Sequence, residues 1–245
     1  MPERDDFYVG YLPMPLSHRR LLLVALPLAL LAMLFTGVAI ALTQRDPGPA
    51  TWQRGATSTW QGVLRLEPYP VLHATTGDDS NTYLLVHTGK FGARELAEPF
   101  AEQLVSIHGR LLERDGRRMI ELADAPIGLA SGPRSFAPFP TPTVLGVVDL
   151  RGEIIDSKCY LGAMKPGDRK THKACAMLCL RGGITPMFVS HADDGATLLY
   201  IPLARDGSPM PEELIDLAGE PIHVTGIAET HGGLTYLRIA TAERE

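Results

Sequence analysis

The sequence predicts a mostly β protein, in which an N-terminal transmembrane helix precedes two small β-barrel domains. Three observations support this fold class. An uncharged apolar run lies near the N-terminus, and the rest shows short strand patterns separated by Gly, Asp and Pro, without a long amphipathic helix. Two stretches of that remainder also align with each other without a gap. We therefore expect one membrane anchor and a repeated β unit.

The apolar run, residues 21–42, contains 22 residues and no charged side chain. At about 1.5 Å of helical rise per residue it covers the thickness of a hydrocarbon core. Pro27 lies inside the run, which membrane helices tolerate. Residues 39–41 (Ala-Ile-Ala) resemble a signal-peptide cleavage site, but the run exceeds the roughly 7–15 apolar residues of a signal peptide. The sequence therefore favours an uncleaved transmembrane helix over a cleaved signal peptide.

The charges that flank the helix predict its orientation. Arg19 and Arg20 precede it, whereas Arg45, beside Asp46, is the nearest basic residue that follows. Because basic residues accumulate on the cytoplasmic side, we expect the N-terminal tail in the cytoplasm and the remainder in a bacterial periplasm. The lipid bilayer is then one partner, and another membrane or periplasmic protein is expected as a second.

The composition of the exported part excludes several functions. It carries 20 Lys and Arg against 25 Asp and Glu, so we expect no nucleic-acid partner. The sequence shows no nucleophile elbow, P-loop, paired-carboxylate motif or dinucleotide fingerprint. Hydrolase and kinase activities therefore lack support, and the sequence favours a protein that is not an enzyme.

Two proline-rich stretches divide the chain. The second holds four prolines among thirteen residues, a composition typical of a linker. The predicted organisation is a cytoplasmic tail (1–20), a transmembrane helix (21–43), a linker (44–56), a first domain (57–130), a second linker (131–143) and a second domain (144–242).

The two domains are predicted to be copies of one unit. Residues 105–122 align without a gap on residues 222–239, matching Gly109 to Gly226 and Gly116 to Gly233. Each stretch has the strand–turn–strand pattern of a β-hairpin. An isolated glycine in a strand indicates a bulge, a barrel bend or a close backbone approach, which we expect at Gly109 and Gly226.

Each copy also begins with a Gly-x-Leu/Ile strand and has an irregular or helical connection (residues 92–102 and 211–217) before the closing hairpin. This pattern resembles the five-stranded barrel of OB-folds. The resemblance implies an OB-like barrel in each half and implies no particular activity. The second copy is longer by an insertion at about residues 157–183.

This insertion contains all three cysteines and four of the five lysines of the chain. A helix is predicted from about Asp168, a candidate N-cap, to Leu180, because Gly182 and Gly183 follow. This predicted helix places three candidate ligands on one face. A fourth candidate lies at the end of the preceding strand, from which the chain can fold back against that face. The predicted metal ligands are Cys159, His172, Cys175 and Cys179, with Met164, Met177 and His191 in reserve.

Three interpretations of these residues remain open. Three thiolates and an imidazole match a tetrahedral Cys3His metal site, for which zinc or copper is expected. A structural disulfide from Cys159 to Cys175 or Cys179 would instead staple a loop in a non-catalytic binding or assembly protein. A reactive thiol would suit a thiol oxidoreductase. The spacing matches no common zinc-finger, haem or ferredoxin pattern, which disfavours an iron–sulfur cluster.

The stretch DSKCYLGAMKPG…HKACAMLCLRGG, within residues 156–183, resembles a signature of uncharacterised membrane-anchored bacterial proteins. The resemblance covers this segment alone and implies no known activity. The sequence as a whole favours a membrane-anchored periplasmic accessory module for metal binding or redox chemistry.

Overall fold

The structure, a computed structural model, describes residues 14–43, 50–76, 79–130 and 141–245. The chain falls into two units, and the second, Pro47–Glu245, holds all the strands. Residues 1–13 of the predicted tail, residues 44–49 of the first predicted linker and residues 131–140 of the second lie outside the described residues, while residues 51–52, within the first predicted linker, form a short strand. The two-domain boundaries predicted above therefore stay predictions.

The first unit contains one long helix, α1, which spans Leu16–Thr43. It has 28 residues and no buried residue, and an 18-residue window within it has a mean hydropathy of 2.6. Its length and composition confirm the prediction of an apolar N-terminal helix that is long enough to cross a membrane. The helix begins at Leu16, before the charged pair Arg19 and Arg20, because nothing in residues 16–20 breaks a helix.

The first barrel closes through five strands. The strands are β1 (Thr51–Trp52), β2 (Ser58–Arg65), β3 (Val71–Thr76), β4 (Asp79–Val86), β5 (Leu104–Arg114) and β6 (Arg117–Leu129). β2 pairs antiparallel with β3 and β5, β3 with β4, and β5 with β6, while β4 and β6 run parallel and β1 pairs with β5. A short helix, α2 (Arg94–Ala97), and a 3-10 turn (Glu98–Phe100) connect β4 to β5.

The second barrel repeats this connectivity. Its strands close in the order β10-β11-β9-β8-β7, β9 and β11 run parallel, and a 3-10 turn (Glu212–Leu217) precedes β10. Two five-stranded barrels with the same order confirm the OB-like fold class. The strands are β7 (Thr143–Asp156), β8 (Pro186–His191), β9 (Thr197–Leu203), β10 (Ile222–His231) and β11 (Leu234–Arg244).

The two repeat glycines occupy equivalent irregularities. The strand register shifts between Ile107 and Gly109 in one barrel and between Thr225 and Gly226 in the other. A Cβ atom on Gly109 would lie 2.5 Å from the Glu121 carbonyl oxygen, and one on Gly226 would lie 2.3 Å from that of Arg238. Both glycines are therefore required by a bulge and a close backbone approach, as expected from the sequence.

Three apolar cores hold the second unit together. One fills the first barrel and another fills the second. The third joins residues of both barrels, such as Val71 and Met119 from the first and Ile155 and Met187 from the second. Cys159 and Cys179 belong to this shared core, which places the candidate site against both barrels.

The insertion of the second barrel runs between β7 and β8 and consists of a π-helical turn (Cys159–Ala163) and helix α3 (Arg169–Arg181). Asp168 occupies the N-cap position of α3 as predicted, but its side chain caps nothing. The Arg169 amide instead donates to the Glu153 carboxylate of β7 at 2.6 Å. Gly182 ends the helix, and α3 buries the face that carries His172 and Cys179.

Candidate metal centre

The insertion brings the four predicted ligands into two overlapping groups that share Cys159. Cys159 begins the π-helical turn directly after β7, while the other three lie on α3. One ligand atom each from Cys159, His172 and Cys175 lie within 4.8 Å of one another. The same holds for Asp156, Cys159 and Cys179, and all three cysteines are free thiols. The cysteines are thus close to one another but not disulfide-bonded.

Asp156 is the acidic member of this centre, and ligand spacing alone did not single it out. Its carboxylate is fully buried at the end of β7. It accepts a hydrogen bond from the Cys159 amide at 2.8 Å and one from His172 Nε2 at 2.9 Å. A carboxylate that holds the second ring nitrogen of a histidine is typical of metal sites, since it fixes the tautomer and leaves the other nitrogen to ligate. The available signal was its place three residues before Cys159.

Lys90 brings the first barrel into the same centre. It lies in the connection between β4 and α2, and its Nζ is 2.8 Å from Cys175 Sγ and 3.8 Å from Cys179 Sγ. An ammonium beside sulfur favours the thiolate over the thiol. Of the five lysines of the chain, Lys90 is the one that lies outside the insertion. Only the packing of the two barrels could reveal its role.

The electrostatics of the centre differ between the thiols. A hydrogen bond from Cys159, helped by the Lys90 ammonium, lowers the pKa of Cys179 to about 7. The pKa of Cys159 is raised, because its thiol donates that hydrogen bond and because the site is buried. The hydrogen bond to Cys175 raises the pKa of Lys90. The lowered pKa makes the Cys179 thiolate more accessible at neutral pH, and a thiolate is the form that binds metal.

The three reserve ligands lie in other surroundings. The Met164 side chain is exposed, although its amide donates to the Cys159 carbonyl at 3.2 Å. Met177 packs against the core of the second barrel. His191 ends β8 and is exposed, and it belongs to neither group of close ligand atoms found among the described residues.

Beside the thiols, the insertion is fastened to the first barrel through Lys158. Its ammonium pairs with the Glu121 carboxylate of β6 at 2.8 Å, and both side chains are about 5% exposed. It also donates to the carbonyls of His87 and Gly89 at 2.9 and 2.8 Å. These three acceptors satisfy the three N–H groups of the ammonium.

The backbones of the two barrels meet beside these contacts. The Gly92 amide donates to the Gly182 carbonyl at 2.8 Å. A Cβ atom on Gly182 would lie 1.8 Å from the Lys90 carbonyl oxygen, so only glycine fits there. Gly182 and Gly183, which end α3, therefore pack directly against the loop that carries Lys90.

The site is a largely buried cluster of three sulfurs, one imidazole and one carboxylate at the junction of two OB-like barrels. No protein-family model matches the chain, and no curated protein matches it. A deletion mutant of the single-stranded DNA binding protein from Thermus aquaticus is a similar solved structure, at 16% identity and a TM-score of 0.23. The match covers 77% of this chain and 93% of the other. A TM-score this low supports no argument about the function of this chain.

Proposed function

We propose that this protein is a membrane-anchored periplasmic metal-binding module, which holds a transition-metal ion through Cys159, His172, Cys175 and Cys179. The observation that carries the proposal is the pairing of His172 with the buried Asp156 carboxylate, next to three free cysteines. A histidine that binds a metal usually donates its other ring N–H to a carboxylate, as His172 does to Asp156, and the nearby thiols supply the further ligands.

The donor atoms narrow the choice of metal. Thiolate and imidazole together suit zinc and copper, while magnesium and calcium prefer oxygen ligands. Four such ligands on one short turn and one helix also match the closed coordination of a structural or storage site. The protein therefore acts as an accessory to a membrane or periplasmic partner and is not itself a catalyst.

The location is part of the same proposal. Helix α1 is apolar enough to span a membrane, and the pair Arg19 and Arg20 lies at its N-terminal end. Positive charge at that end favours a cytoplasmic N-terminus, which places both barrels in the periplasm. Protease accessibility of the barrels in spheroplasts tests this orientation, and protection from protease would contradict it.

Metal content of the reduced, anaerobically purified full chain in detergent tests the binding function. We expect at least one equivalent of zinc or copper, and its loss in Cys159→Ser. Met164→Leu is the matched control, because Met164 neighbours the site in sequence but its side chain is exposed. Less than about a tenth of an equivalent in the wild type would end the proposal.

Thiol counting gives an independent readout. With metal bound, the three thiols should react with a thiol reagent only after a chelator or denaturant is added, since coordination blocks them. Two unreactive sulfurs that are freed only by a reductant would instead indicate a disulfide.

A thiol oxidoreductase is the second candidate, favoured by the pKa of about 7 for Cys179 and by its proximity to Cys159. Both sulfurs are buried, however, and thiol exchange requires access to the attacked sulfur. Under this alternative Cys159 is the exchanging partner. If Cys159→Ser retained thiol-exchange activity, the mechanism would be wrong.

A further inference from the structure

The ligand atoms of the centre form two overlapping triads that share Cys159. One triad adds His172 and Cys175, and the other adds Asp156 and Cys179. Bonds of about 2.0–2.3 Å place three ligand atoms around one zinc ion roughly 3.5–4 Å apart. Triads whose atoms all lie within 4.8 Å are therefore close to the spacing that an ion needs.

We propose that the centre holds two zinc-type divalent ions bridged by the Cys159 thiolate. The first ion is bound by His172 and Cys175, and the second by Asp156 and Cys179. This inference rests on the proposed metal-binding function, divides its four ligands between two ions and adds Asp156 as a fifth ligand. Asp156 then has two tasks, since it both orients His172 and ligates the second ion.

The Asp156 carboxylate has the capacity for both tasks. Each of its oxygens accepts one hydrogen bond, from the Cys159 amide and from His172. A carboxylate offers about four lone-pair positions, so two remain for a metal ion. Zinc accepts sulfur, nitrogen and carboxylate oxygen as ligands, which suits both triads.

The charge of the centre also favours two ions. Three thiolates and one carboxylate carry four negative charges, which two divalent ions neutralise. A single divalent ion leaves two negative charges among buried residues, with Lys90 as the neighbouring ammonium. Uncompensated buried charge is costly. Because Lys90 is exposed, its ammonium can turn to water once two ions are bound.

Zinc stoichiometry of the full chain in detergent, reduced and anaerobic, tests the proposal. After titration with zinc and removal of the unbound ion, we expect two equivalents per chain in the wild type. Cys175→Ser and Cys179→Ser should each retain one, because each removes a ligand of a different ion. Cys159→Ser should retain neither. Lys170→Gln, a change on the exposed side of α3, should retain both.

X-ray absorption at the zinc edge gives a second measurement that needs no variant. Two bridged ions should show zinc–zinc scattering at about 3.5–4 Å. One equivalent in the wild type without that scattering would overturn this inference and leave the proposed function standing. No bound zinc or copper at all would overturn both.

Discussion

Replacing Lys158 by methionine tests how far the two barrels depend on each other. In the wild type the Lys158 ammonium lies against Glu121 and two backbone carbonyls of the first barrel. Methionine keeps much of the apolar stem but removes the charge and all three N–H donors. The Glu121 carboxylate then stays buried, with Arg110 at 3.8 Å as its remaining cation.

The expected change in the free energy of unfolding follows from this geometry. Removing one partner of a buried ion pair typically costs about 3–5 kcal/mol, because the other charge is left uncompensated. Arg110 offsets part of that cost, whereas the carbonyls of His87 and Gly89, which lose their hydrogen-bond donor, add to it. We therefore expect Lys158→Met to lower the free energy of unfolding by about 3–5 kcal/mol. In Lys158→Met/Glu121→Leu most of the loss should be recovered, because neither charge remains.

Urea unfolding of the full chain in detergent, followed by circular dichroism, measures these free energies. The matched control is Lys170→Met, since Lys170 also pairs with a glutamate but its side chain is 73% exposed. Exposed pairs contribute little, so the control should change stability by less than about 0.5 kcal/mol. A loss below about 1 kcal/mol for Lys158→Met would refute the view that this pair fastens the barrels.

Two further outcomes are expected. Gly226→Val should lower the free energy of unfolding by about 1–3 kcal/mol, because a Cβ atom there would lie 2.3 Å from the Arg238 carbonyl oxygen. Gly128→Val, the control in the same urea assay, should be near neutral, because no atom lies within 4 Å of a Cβ atom at that position. Thiolate absorbance of the metal-free protein should titrate with a midpoint near pH 7 that Cys179→Ala lacks. Since this pKa is lowered on folding, its contribution to stability is present above the ordinary thiol pKa and is lost as the pH falls through about 7. A midpoint that survived in Cys179→Ala would show that another thiol titrates there.

Local patterns predicted much of the fold. Alternating apolar residues and Asp-Gly or Gly-Gly turns identified the hairpins β5–β6 and β10–β11. The repeat alignment predicted a bulge, a barrel bend or a close backbone approach at Gly109 and Gly226. Helical spacing also placed His172, Cys175 and Cys179 on one helix. These features depend on neighbours within one or two strands, and such neighbours are visible in the sequence.

The rest of the site depends on contacts between residues far apart in the chain. Lys90 reaches Cys175 across 85 positions, and Lys158 reaches His87 across 71. No periodicity encodes such a contact, because it arises only when two closed barrels pack. The role of Asp156 could not be predicted for another reason. An acidic residue at the end of a strand is usually exposed to solvent, and the sequence does not show that Asp156 is buried beside His172.

The shared core leads to a last prediction, which concerns whether the two barrels unfold together or separately. All cysteines lie in the second barrel, whereas both tryptophans precede it in the chain. Trp60 packs against the core of the first barrel, so in a Trp52→Phe background its fluorescence reports the melting of that barrel alone. Each bound zinc ion, at about 100 times its dissociation constant, adds roughly 2.7 kcal/mol to the free energy of unfolding of every part that unfolds together with the site.

For a unit of this size, that free energy raises the melting temperature by about 5–10 °C. Because the shared core and Lys158 couple the barrels, Trp60 should report the same rise as circular dichroism. In Cys159→Ser, the matched control, zinc should shift neither signal. If zinc shifted the circular dichroism transition but left the Trp60 transition in place, the barrels would unfold separately. The first barrel would then be a neighbour of the metal centre and not a part of its stability.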